Sequence, residues 1–144
     1  QEPFEDPLKA ACELVAKYSS VDYADRSFNP YAPEKEVAYW CPQDFDGKER
    51  KRLYMTIMAT DFAKMNGLKI TNARGDNVKI SKVEFKSGPQ WFGKLDLDEK
   101  IRSPRQVVKI PFKGPGTTEG LEREVVVYVT IEGGPQSWGM ISLY

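Results

Sequence analysis

The chain has 144 residues, with 21 lysine and arginine residues balanced by 21 aspartate and glutamate residues, and it contains no histidine. Hydrophobic residues make up 40% and charged residues 29% of the sequence, which is typical of one folded domain and not of a disordered chain. The lack of histidine excludes serine–histidine and cysteine–histidine nucleophilic pairs, histidine-ligated zinc and imidazole acid–base chemistry. The longest apolar run, at residues 125–129, is far shorter than the roughly 18 residues that a membrane span needs.

The N-terminal part predicts one helix. Asp6 suits the N-cap and Pro7 the first helical position, and apolar residues follow at helical spacing, namely Leu8, Ala11, Cys12 and Val15. Residues 20–35 contain two prolines and three aromatic residues without a regular period, which predicts an ordered connecting arm. We therefore expect a single domain over residues 1–144, with the helix and arm in residues 1–35 and a β-sandwich in residues 36–144.

From residue 36 onward the hydrophobic period changes to two, which predicts about eight short strands. Residues 52–59 are apolar on both faces, and this favours a central position in a sheet. The alternation slips by one residue between Ile80 and Val83, which is the sequence pattern of a β-bulge. Glycine-containing clusters predict the turns, at residues 45–48, 74–77, 87–89, 113–116 and 132–135. The predicted fold is mostly β: an antiparallel β-sandwich or jelly roll, with one N-terminal α-helix and no helix between the strands.

Two cysteines, Cys12 and Cys41, predict a disulfide. It would close a loop of about 30 residues and stabilise the fold by about 3–4 kcal/mol in the chain-entropy model. The alternative is a pair of buried free thiols that pack as small hydrophobic side chains. The paired cysteines, together with a first residue other than methionine, predict a secreted or periplasmic location.

The balanced total charge conceals a strong division along the chain. Residues 1–46 have a net charge of −6, residues 47–113 have +9, and residues 114–144 have −3. The middle block places cations on predicted outward strand positions and two aromatic residues in a predicted loop nearby. The predicted ligand-binding residues combine stacking rings with these cations: Trp91, Phe92, Trp138, Arg52, Lys69, Lys79 and Lys82. The competing interpretation is that the acidic segments neutralise this block within the fold.

We expect a non-catalytic, exported binding module that recognises a carbohydrate or another anionic extracellular surface. Nucleic acid is the least favoured polyanion, because the net charge is zero and no nucleic-acid-binding motif is present. One alternative is a structural or protein-interaction subunit that pairs through residues 125–131 or through the terminal strand that ends at Tyr144. A second alternative is a small glycan hydrolase that uses two loop carboxylates. The candidates for such a pair are Asp44, Asp46, Asp61, Asp96, Asp98, Glu119 and Glu122.

No catalytic residue, cofactor or metal ligand is predicted, although a structural calcium ion on the sandwich is left open. Residues 44–47 lack the later ligands of an EF-hand loop, and the glycine-rich residues 114–120 lack the lysine and hydroxyl pair of a phosphate-binding loop. The tripeptide Arg74-Gly75-Asp76 matches an integrin-binding sequence, but its residue types are also those of an ordinary hairpin turn.

Overall fold

A computed structural model describes residues 8–10, 12–13, 37–45 and 47–144; the predicted arm at residues 20–35 lies outside them. Eight strands in this part of the chain form two antiparallel four-stranded sheets. Their bounds are β1 (Val37–Trp40), β2 (Arg50–Met58), β3 (Gly67–Arg74), β4 (Val78–Ser87), β5 (Gln90–Ile101), β6 (Gln106–Pro111), β7 (Glu124–Glu132) and β8 (Trp138–Leu143). A 3-10 helix (Pro42–Phe45) follows β1, and a short helix α1 (Ala59–Lys64) follows β2.

The strands pair as nested hairpins. Sheet A has the order β1-β8-β3-β6, and sheet B has the order β2-β7-β4-β5. The pairs β1/β8, β2/β7, β3/β6 and β4/β5 therefore enclose one another along the chain. This pattern arises when one long antiparallel hairpin, with its tip between β4 and β5, is rolled so that its arms alternate between two sheets. It is the strand order of a jelly roll, and the predicted mostly β sandwich is confirmed.

Strand β4 illustrates how the alternating sequence builds the core between the sheets. Val78 and Ile80 are buried, and after one extra residue Val83 and Phe85 are buried in turn. The pairing of β4 with both neighbours shifts register between Ile80 and Lys82, which confirms the predicted β-bulge. Strand side chains alternate between the two faces of a sheet. Without the extra residue, the apolar side chains in one half of β4 would therefore face solvent and its charged side chains would face the core. The bulge keeps the apolar residues of the whole strand in the core and its charged residues outside.

The outer face of sheet A carries a second, smaller hydrophobic cluster. The described N-terminal residues are helical, as predicted, and their Leu8 and Cys12 are buried together with Tyr39 and Met140 of sheet A. The predicted disulfide is confirmed, because Cys12 is bonded to Cys41 with a Cα–Cα distance of 5.5 Å. The described N-terminal residues are thus attached to this face of the sandwich.

Strand β2 lies at an edge of sheet B, so the prediction that residues 52–59 form a central strand is wrong. Tyr54 on its outer face packs against Tyr128 of β7, with ring centroids 6.2 Å apart. The apolar character of that face thus reflects a surface aromatic cluster and not a second buried side. The end of the predicted strand is also wrong, because α1 begins at Ala59 and buries Phe62 in the core.

Strands β7 and β8 lie inside their sheets, each paired on both sides. Neither one can therefore offer the sheet edge that the protein-interaction alternative expects of residues 125–131 and the terminal strand. The edges of the two sheets are β1 and β6 in sheet A, and β2 and β5 in sheet B.

The predicted turns are confirmed by the backbone. Each of the five clusters contains a glycine with a positive φ, namely Gly47, Gly75, Gly88, Gly116 and Gly133. Across residues 8–10, 12–13, 37–45 and 47–144, no helix combines the length and the apolar character that crossing a membrane would require.

Candidate ligand-binding site

Three aromatic side chains meet on the outer face of sheet B. The ring centroids of Trp91 and Tyr128 are 5.5 Å apart, and those of Tyr128 and Tyr54 are 6.2 Å apart. Trp91 is 50% exposed, whereas Trp40 is fully buried. An exposed indole supported by two further rings forms a rigid apolar surface with polar hydroxyl groups beside it.

Arg52 connects these rings to the charged part of the same face. Its guanidinium carbon lies 4.2 Å from the ring centroid of Tyr128 and 5.8 Å from that of Trp91, within the range of cation–π attraction. The Arg52 Nη2 atom is also 3.3 Å from the Oε1 atom of Glu84. On another strand, the Nζ atom of Lys86 lies 5.0 Å from the Trp91 ring centroid. We refer to this group as the platform; it comprises Arg52, Tyr54, Lys86, Trp91 and Tyr128.

The register of sheet B explains why these residues converge. Tyr54 lies opposite Tyr128 across the β2/β7 pair, and Tyr128 lies opposite Glu84 across the β7/β4 pair. Lys86 lies opposite Trp91 across the β4/β5 pair, where a second register shift occurs. Directly opposed side chains on one face have Cβ atoms about 5 Å apart, so residues distant in sequence become neighbours. All four strands of sheet B contribute to this surface.

A basic groove adjoins the platform through Arg52 and Glu84. We call it the first groove; it has a volume of about 530 Å³. Its charged lining consists of five cations and one carboxylate, namely Lys48, Arg50, Lys51, Arg52, Lys82 and Glu84. Such an excess of one charge in a concave surface attracts anions and raises their local concentration. The outer face of sheet B thus joins a stacking surface to an anion-attracting groove.

The structure brings some of the predicted ligand-binding residues together. Trp91 and Arg52 are both in the platform, and Lys82 lines the first groove with Arg52. Lys79 also points outward from β4, but nearer the other end of sheet B. There its Nζ atom lies 3.7 Å from a carboxylate oxygen of Asp98 and 3.9 Å from one of Glu132.

The other predicted residues lie elsewhere. Trp91 and Phe92 are at the start of β5 and not in a loop, and Phe92 is half-buried against the main core. Lys69 is exposed on sheet A, opposite Lys109 of β6. Trp138 is also in sheet A, where it packs against the second hydrophobic cluster. These three residues do not share a surface with the platform.

Tyr54, Tyr128 and Lys86 belong to the aromatic and basic residues that the sequence offers for a platform, but they are not among the predicted ligand-binding residues. Both tyrosines occupy outward positions in long apolar strands, where an aromatic residue is usually read as part of the core. The usable signal is their phase, because Tyr54 alternates with the buried Leu53 and Met55. A tyrosine out of phase with buried neighbours is a candidate for the outer surface.

All three residues of the integrin-like tripeptide lie close to residues of the loop before β8 or the start of β8. The guanidinium carbon of Arg74 lies 5.1 Å from the ring centroid of Trp138, and Asp76 accepts a 3.0 Å hydrogen bond from the backbone N–H of Gln136. A Cβ atom at Gly75 would overlap the backbone carbonyl of Gln136. These contacts hold the β3–β4 turn against the loop before β8, in agreement with the hairpin interpretation.

Three of the carboxylates considered for hydrolysis have partners within the fold. Asp44 is buried and accepts a 2.7 Å hydrogen bond from the backbone N–H of Cys41. Asp96 and Asp98 each lie near a lysine of sheet B, at 3.8 Å and 3.7 Å, and Asp46 lies outside the described residues. Within the described part of the chain, no three histidine, cysteine, aspartate or glutamate side chains are grouped so that they could hold a metal ion.

No family model matches the chain, and no curated protein matches it significantly.

Proposed function

We propose that this chain is a non-catalytic carbohydrate-binding module that works outside the reducing cytoplasm. Its ligand would lie on the outer face of sheet B, with a sugar ring stacked on Trp91. The Cys12–Cys41 disulfide supports an oxidising compartment, because such bonds persist in secreted and periplasmic proteins. The second hydrophobic cluster covers part of the outer face of sheet A, which favours sheet B as the binding side.

The observation that carries this proposal is the exposure of Trp91 within an organised set of contacts. An indole that is 50% exposed loses apolar contact with water when a ligand covers it, and this favours binding. Tyr128 and the two nearby cations restrict its orientation, so little conformational entropy would be lost on binding. The C–H groups of a pyranose face can pack against the electron-rich ring, while Arg52 and Lys86 can donate hydrogen bonds to hydroxyl or acidic groups.

The test is titration of the protein with a heparin tetrasaccharide, followed by calorimetry and by tryptophan fluorescence. We expect Trp91→Ala to weaken binding by about fivefold, since an aromatic contact of this kind is worth about 1 kcal/mol. Trp91→Phe keeps an aromatic face and should bind within about threefold of the unmodified protein. Trp138→Phe is the matched control, because this tryptophan lies in sheet A, and it should leave affinity unchanged.

The fluorescence response should disappear in both Trp91 variants and persist in Trp138→Phe. Equal affinity of Trp91→Ala and the unmodified protein would overturn the proposal, as would a tetrasaccharide that does not bind at all. Cleavage of the tetrasaccharide would overturn the part of the proposal that calls the module non-catalytic.

A further inference from the structure

We infer that the ligand is a linear polyanionic polysaccharide that runs along the strands of sheet B and reaches a second groove beyond the first one. The inference rests on the proposed function, since it specifies the chemistry and the length of the carbohydrate. It also assigns a binding role to Arg50, Lys100 and Arg102, which the sequence analysis does not single out.

The second groove lies where β2 and β4 begin and β5 and β7 end. It has a volume of about 660 Å³, and its floor includes the apolar residues Val78 and Ile101. Four cations and two carboxylates complete its charged lining, namely Arg50, Lys79, Lys100, Arg102, Glu49 and Glu132. The groove is therefore net positive, and Lys100 and Arg102 are exposed to solvent.

Arg50 lines both grooves, so the positive surface is continuous. At one end of β4, Lys86 contacts Trp91, and at the other end Lys79 lines the second groove. These lysines are seven residues apart, which corresponds to roughly 20 Å along a strand. The bulge in β4 allows both lysines to point outward despite their odd spacing. A ligand that covers the platform and both grooves must therefore be extended and carry several negative charges.

An anionic ligand could replace the carboxylates on this surface as the partners of its cations. Glu84 is near Arg52. Asp98 and Glu132 are near Lys79, so each of these two cations already has a carboxylate beside it. The pairs are partly exposed, so solvent weakens them, and a multivalent anion can compete with the carboxylates for the cations. A sulfated or uronate-containing polysaccharide supplies such charges at regular intervals, together with the sugar rings that the platform would stack.

The disulfide favours an acidic polysaccharide over a nucleic acid as the polyanion. It supports an oxidising compartment, where acidic polysaccharides are the abundant linear polyanions and free nucleic acid is scarce. The aromatic platform alone does not discriminate, because nucleobases also stack on aromatic rings. Nucleic acid is therefore a rival to be tested directly.

The experiment compares a heparin tetrasaccharide with a heparin dodecasaccharide on the full chain. We expect the dodecasaccharide to bind at least tenfold more tightly, because only the longer chain can reach the second groove. Lys100→Ser combined with Arg102→Ser should reduce dodecasaccharide affinity by about tenfold and leave tetrasaccharide affinity unchanged. It should also lower the salt dependence of dodecasaccharide binding by about two charges.

The matched control is Lys64→Ser combined with Lys69→Ser, which removes two exposed cations that line neither groove. It should leave the affinity of both oligosaccharides unchanged. Circular dichroism and thermal unfolding of each variant establish that the fold is intact.

The outcomes separate this inference from the proposed function. Tetrasaccharide binding that depends on Trp91 but does not increase with chain length overturns the inference and leaves the proposed function standing. If neither oligosaccharide binds, both are overturned. If single-stranded DNA of similar charge binds more tightly than the dodecasaccharide, the polysaccharide is not the ligand.

Discussion

Single residues in this fold are constrained by what lies directly across the sheet. Gly139 is paired with Trp40 of β1, and a Cβ atom at this glycine would overlap the six-membered part of the indole ring. Trp40 cannot move aside easily, because it is fully buried and its Nε1 donates a 3.0 Å hydrogen bond to Ser137 Oγ. The glycine therefore supplies the space in which the largest core side chain lies.

Gly139→Ala should lower the free energy of unfolding by about 3 kcal/mol, because overpacking forces Trp40 or the backbone to shift. In a Trp40→Phe background the same change should cost less than about 1 kcal/mol, since phenylalanine lacks the atoms that would collide. Urea unfolding of the two single variants and the double variant measures the coupling, which we expect to be about 2 kcal/mol. Additive effects would contradict the steric explanation.

At the scale of elements, the bulge in β4 decides which side chains reach the platform. Ser81 lies at the register shift, between buried Ile80 and outward-facing Lys82. The extra residue changes the phase of the strand once, so that Lys79 and Lys86 share a face with the first groove.

Deletion of Ser81 should prevent stable folding, because a one-residue slip would either expose Val78 and Ile80 or bury charged residues. Ser81→Ala keeps the residue count and should change stability by less than about 1 kcal/mol. Thermal unfolding followed by circular dichroism distinguishes the two variants. A deletion variant that melts like the unmodified protein would show that the bulge is not needed for the strand to pair.

Local patterns in the sequence were sufficient to predict the existence of the strands, the turns and this bulge, but not helix α1 between β2 and β3 or the start of β5 at Gln90. Alternation and turn glycines are properties of neighbouring residues, and Ile80 and Val83 record the change of phase directly. Strand order could not be predicted, since the pairing of β1 with β8 joins residues about 100 positions apart in the chain. For the same reason the platform was only partly predicted: Trp91 and Arg52 were identified, but the proximity of Tyr128 follows from the order β2-β7-β4-β5.

For the whole molecule, zero net charge does not describe the local charge of sheet B. Eight of the sixteen cations in residues 47–113 line the two grooves of this sheet, while ten of the 21 acidic residues belong to residues 1–46. The electrostatic field of the groove cations acts locally, because dissolved salt screens it beyond about 10 Å at ordinary ionic strength.

The protein should therefore be retained on immobilised heparin at pH 7 and elute at higher salt than from a sulfonate cation exchanger. The exchanger presents charge without sugar rings or regular spacing, so it is the control for simple electrostatic attraction. Arg50→Ser combined with Arg52→Ser should abolish the difference, because these residues join the platform to both grooves. Flow-through on both resins at low salt would mean that acidic segments neutralise this face.

The nested pairing of the strands also has a consequence for how the chain folds. Sheet A places β8, the last of the eight strands along the chain, between β1 and β3. Until β8 arrives, β1 has no paired strand, β3 is paired with β6 alone, and the indole of Trp40 lacks its hydrogen-bond acceptor Ser137. Folding dominated by such distant contacts is slow, in the range of milliseconds to seconds. During translation the ribosome would thus carry an open sheet with unpaired edges, and chaperones that shield extended strands would have the longest opportunity to act at this stage.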